Sequence, residues 1–95
     1  MDKYRLSAKN KTMDYVKIYV RVRVEFLSTG GIVPLSLFWK DGNEFSIDKV
    51  KLKERAPCKS GGVLPIRFTV MVLGKEKYLY YEREKERWFV EKEYQ

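Results

Sequence analysis

No histidine occurs among the 95 residues of this chain. Its absence removes the commonest general base, the commonest metal ligand and the side chain that changes charge near neutral pH. The lone cysteine, Cys58, has no partner for an internal disulfide, so the fold must rest on packing, as suits a reducing compartment. No apolar run approaches the roughly 18 residues of a membrane-spanning helix, because Lys, Arg or Glu interrupts the apolar stretches. Nor does an apolar core follow the charges of the N-terminus, as it would in a secretory signal. These absences point to a cytoplasmic protein without enzyme activity, cofactor, metal or membrane partner.

Apolar residues make up 44% of the chain and aromatics 15%, enough for one hydrophobic core and too little chain for two. Residues 1–13 carry Lys3, Arg5, Lys9 and Lys11 without sustained periodicity and read as a flexible basic arm. Residues 14–95 read as a single β domain. From Val16 to Phe26 the even positions are apolar and the odd ones polar or aromatic, the period of a half-buried strand.

Ser28 to Gly31 punctuate the chain, and a second strand is expected from about Val33 to Lys40, with Pro34 near its start. Asp41-Gly42 predicts a type I′ hairpin that pairs Leu37 to Trp39 with Phe45 to Ile47. The apolar phase then slips, from Phe45 and Ile47 to Val50 and Leu52, which predicts a bulge near Asp48 and Lys49. A loop over Ala56 to Gly62 leads to a strand from Leu64 to Leu73, apolar on much of both faces. Gly74-Lys75 suits a type II′ turn into a strand over Lys77 to Glu82. A charged turn, Arg83 to Glu86, precedes a last strand with Trp88 in the core and a frayed tail over Lys92 to Gln95. The expectation is an all-β fold, a small antiparallel barrel or closed sandwich of about six strands.

Charge is distributed unevenly. Residues 1–23 hold seven basic and two acidic side chains, the larger share of the chain's net +7. The outer face of the first strand reads Tyr15, Lys17, Tyr19, Arg21, Arg23, which offers cations for phosphates and rings for bases. A second cluster, Lys49, Lys51, Lys53, Arg55 and Lys59, with Arg67 expected nearby, has the same character. Both sets are candidate nucleic-acid contacts. Equally, polar faces keep strands soluble and edge cations block aggregation, which leaves a protein partner or self-association through an exposed edge as the alternative. Cys58 has no histidine to act as its base, and Gly30-Gly31 and Gly61-Gly62 match no phosphate-loop pattern.

The run Gly31, Val33, Pro34, Leu35, Phe38, Trp39, Asp41, Gly42, Phe45, Ile47, Val50, followed by Arg67-Phe68, Gly74, Tyr78-Leu79 and Trp88-Phe89-Val90, resembles a group of short uncharacterised bacterial proteins. The likeness covers about residues 14–91 and rests on a Pro-x-x-x-x-Trp hairpin and a closing Trp-aromatic-Val strand. It implies a small β domain and brings no activity with it. The basic arm lies outside the shared pattern.

Overall fold

A computed structural model describes residues 14–93, so the N-terminal arm lies outside the described residues. Seven strands follow one another: β1 (Tyr15–Phe26), β2 (Ile32–Phe38), β3 (Glu44–Ser46), β4 (Lys49–Arg55), β5 (Ile66–Val72), β6 (Lys75–Glu82) and β7 (Arg87–Glu93). All neighbours are antiparallel, in the order β3-β2-β1-β7-β6-β5-β4.

That order dictates the shape. Strands β3 and β4 lie at opposite ends of the ladder, yet only Ile47 and Asp48 separate them in the chain. The three peptide steps from Ser46 to Lys49 reach about 11 Å at most. A flat sheet would hold its two edge strands roughly 29 Å apart, at about 4.8 Å per strand. The sheet therefore curls until its edges meet. Ile47 N–H donates to Leu35 O on β2, and Asp48 N–H donates to Met71 O on β5, both at 2.9 Å. The anticipated bulge near Asp48 and Lys49 is thus a crossing from one edge to the other, and the expected third strand is two strands. Because β3 pairs only with β2 and β4 only with β5, the result is a curled half-barrel rather than a closed barrel or sandwich.

Alternation along each strand places the core on the concave side. Phe68, Val70 and Leu79 are at most 1% exposed and pack with Val72 and Trp88. Burying each such side chain contributes about 1.5–3 kcal/mol relative to exposure. Phe45 and Ile47 join this cluster from the far edge, and Val50 joins it from β4, opposite Val70. Leu52 does not: the ladder shifts between Val50 and Leu52, so Leu52 faces Thr69 and is half exposed, while Lys53 comes to lie opposite Phe68. The period-two reading carried past Val50 fails at that bulge.

The hairpins also differ from expectation. Trp39 O accepts from Gly42 N–H, and Trp39 N–H donates to Asn43 O. Gly42 has φ +92° whereas Asp41 is not left-handed, so the turn is type I closed by a glycine bulge, not type I′. This sets Phe38 opposite Glu44 and Leu37 opposite Phe45. At the β5–β6 corner Val72 pairs with Lys75, which makes Leu73 and Gly74 the central residues; both have positive φ, +52° and +75°. That is a type I′ turn instead of type II′. Lys92 and Glu93, expected to fray, pair with Val16 and Tyr15.

A leucine in the left-handed region costs roughly 1–2 kcal/mol against a right-handed backbone, and the Leu73 side chain is largely solvent-exposed. Leu73→Asn should therefore raise unfolding stability by roughly 0.5–1 kcal/mol in a urea melt with unchanged m-value; a loss of stability would refute the turn assignment.

Candidate nucleic-acid interface

Strand β1 pairs with β7 through Tyr15 to Val20 and with β2 through Arg21 to Phe26. The odd-numbered side chains Tyr15, Lys17, Tyr19, Arg21 and Arg23 do share one convex face, but the change of partner divides them into two settings.

The first two meet a covering loop. Phe89 is fully buried on this face and Tyr80, at 3% exposure, stacks on it with centroids 5.0 Å apart. The loop over residues 56–65 lies across them. Its Ser60 backbone N–H and hydroxyl both donate to the Glu91 carboxylate, the hydroxyl at 2.6 Å. Lys17 Nζ donates to Gly61 O and stands 5.2 Å above the Phe89 ring. Tyr15 is engaged by Lys59, whose Nζ lies 4.8 Å above its ring. Tyr15 and Lys17 are consequently half-buried anchors of the loop. Burial, with the Glu91 charge beside it, pushes the Tyr80 hydroxyl up to about 12.

The last two residues, with Tyr19 at the boundary, are open. Tyr19 makes an edge-to-face contact with Phe89 and carries the Arg87 guanidinium 4.1 Å from its ring centroid. Its hydroxyl donates to Glu82 at 3.3 Å, and Arg87 Nε donates to the same carboxylate at 2.7 Å. Partial burial and the Glu82 charge push the Tyr19 hydroxyl above its usual range. Burial opposes ionisation of Glu82, but the Arg87 and Tyr19 donors outweigh it and hold the carboxyl below its ordinary value. Arg21 lies 4.5 Å above the Phe38 ring and Arg23 5.6 Å from the same ring. Arg23 also meets Glu44 at 3.4 Å, and Glu44 accepts from Ser36 Oγ at 2.6 Å. The Ser36 hydroxyl and then Arg23 hold the Glu44 carboxyl below its usual value.

Lys59 of the second cluster meets the first, its Nζ lying 4.8 Å above the Tyr15 ring, while the other four cations of that cluster sit on β4. Three strands separate β1 from β4 along the ladder. Lys51 pairs with Glu76 at 3.0 Å. Lys53 is turned by the bulge to the concave side, where its Nζ lies 5.5 Å from the Phe68 ring. Lys49, opposite Met71, and Arg55, opposite Ile66, are exposed on the same edge strand. The sequence reading missed Phe38 and Arg87, the ring and the cation that complete the open part of the face. Phe38 was legible only with the correct turn, which places it opposite Arg21 and Glu44.

Among the described residues no group of three or more His, Cys, Asp or Glu side chains converges as a metal site would, and no helix is long and apolar enough to cross a membrane. Comparison with protein-family models, with curated proteins and with solved structures finds no match.

Glu91 ties the covering loop to pH. Burial raises its proton affinity, but the Ser60 donors more than offset this, and the carboxyl titrates below its ordinary 4.5. A depressed folded value means that its stabilisation is complete above pH 4.5 and is lost as pH falls through the folded value. The Ser60 amide resonance should shift with a midpoint below 4.5, and Glu91→Gln should abolish that titration. A midpoint at or above 4.5 would show that the carboxylate does not hold the loop.

Proposed function

We propose that the protein is a small cytoplasmic binding module, not an enzyme, that holds single-stranded nucleic acid on the open face formed by Tyr19, Arg21, Arg23, Phe38 and Arg87. The observation that carries this reading is the stacking of exposed guanidinium groups on rings: Arg21 over Phe38 and Arg87 over Tyr19. Flat arginine–aromatic platforms accept bases by stacking while the same cations meet phosphates. The Arg23–Glu44 pair does not oppose this. An exposed pair of this kind is worth about 0–1 kcal/mol, so a phosphate can displace the carboxylate. Tyr15 and Lys17 contribute indirectly, by fixing the loop behind the face, while Lys49, Lys51, Lys53 and Arg55 steer through charge alone. A chain of net charge +7 adds that attraction over its whole surface.

The test is fluorescence anisotropy with a labelled oligothymidine or oligouridine of about 15 nucleotides across a salt series. With three or four phosphates neutralised, log K should fall with log salt at a slope of about −2 to −3. The Arg21→Glu, Arg23→Glu pair should abolish binding, and Lys49→Glu should weaken it only slightly. No binding at about 50 mM salt would defeat the proposal and leave a protein partner as the reading to pursue.

A further inference from the structure

The division of β1 between two neighbours leaves part of it bare. From Arg21 to Phe26 it pairs with β2 on one side only, and β7 has already ended at Arg87. Among the described residues nothing pairs with the other edge of this segment. Alternate N–H and C=O groups there point outward, as on any unpaired strand edge. Along the edge lies an open groove of about 640 Å³ lined on the concave side by Val22, Val24, Tyr81 and Trp88 and bordered by Arg21 and Arg87 of the open face, with Phe26 at its rim and 76% exposed.

We infer that this edge pairs with the same edge of a second copy, antiparallel about a two-fold axis at Val24. The sequence around Val24 selects that register. Residues directly opposite in an antiparallel pair share a face, so a slip of one residue would set valines against charges. Of the registers that match faces, a centre at Arg23 sets arginine against arginine, and a centre at Glu25 sets glutamate against glutamate. A centre at Val24 places Arg23 opposite Glu25 of the second copy twice, and Val22 opposite the second copy's Phe26 twice. Arg23 and Glu25 of each copy then meet opposite charges on the convex side while Arg21 falls opposite Leu27, and both exposed phenylalanines cover the valines of the concave side. The isologous arrangement closes after two copies, which ends the edge instead of propagating it. It also sets the two arginine faces side by side on one continuous sheet.

Sedimentation velocity from about 1 μM to 1 mM, without nucleic acid, tests this directly. The native chain should show a concentration-dependent dimer. Glu25→Lys and Arg23→Glu should each weaken the dimer by roughly tenfold or more, since like charges would face each other twice. The swap Arg23→Glu with Glu25→Arg should restore it. Both side chains are exposed, and circular dichroism checks that each variant keeps its strands. Glu25→Lys leaves every residue of the arginine face in place, so loss of the dimer with retained nucleic-acid binding separates the two proposals. A monomer at every concentration, or a dimer indifferent to both single reversals, would overturn the inference.

Discussion

The chain's passage through Ile47 and Asp48 is the constraint on which the remaining structure depends. Two residues have to take the backbone from β3 at one edge to β4 at the other, and they do so with one main-chain hydrogen bond to β2 and one to β5. Everything concave follows. Phe45 and Ile47 are delivered from the short β3 edge onto the cluster of Phe68, Val70 and Leu79. Without the crossing those side chains would cover one face of an open sheet of mostly short strands, with water on the other side of the valines. Strand β5 has a partner on each side, β4 and β6, and Phe68, Thr69 and Val70 are successively buried, with Thr69 between Leu52 and Tyr78 on the opposite face from the core.

The same curl explains how β1 is used. A twelve-residue strand in a strongly bent sheet cannot keep one partner on each side along its full length. It serves β7 with its first half and β2 with its second, and the polar face predicted as one surface becomes two. In the first half the basic and aromatic groups turn structural, holding the 56–65 loop over Phe89 and Tyr80. In the second half the arginines remain open against Phe38, and one backbone edge is left without a neighbour. Open arginine face and free edge are therefore two results of one topological change at the Val20–Arg21 step.

Much of the fold was legible because period-two alternation is a local signal. Val16 to Phe26 and Leu64 to Val72 announced their strands, and the slip after Ile47 announced a departure from regularity. What that departure was could not be read locally: a bulge and a change of edge leave the same trace in the hydrophobic pattern. The turns were misread where glycine sat one place from its expected role, after the type I turn at Lys40-Asp41 and behind the left-handed Leu73. The candidate face was legible in its cations and tyrosines. Its completion by Phe38 and Arg87, and the withdrawal of Lys17 and Tyr15 into loop anchoring, depend on which strands lie alongside, a long-range matter no window of sequence contains.

Native-state hydrogen exchange at the crossing tests the account most directly. If the two edges are held by these residues, the Ile47 and Asp48 amides should open only with global unfolding. Their exchange free energies should then equal those of Val70 and Leu79 and fall in parallel with them as denaturant is added. Rapid exchange of Ile47 and Asp48 while Val70 and Leu79 stay protected would contradict it, since the core would then persist without the crossing that is supposed to shape it.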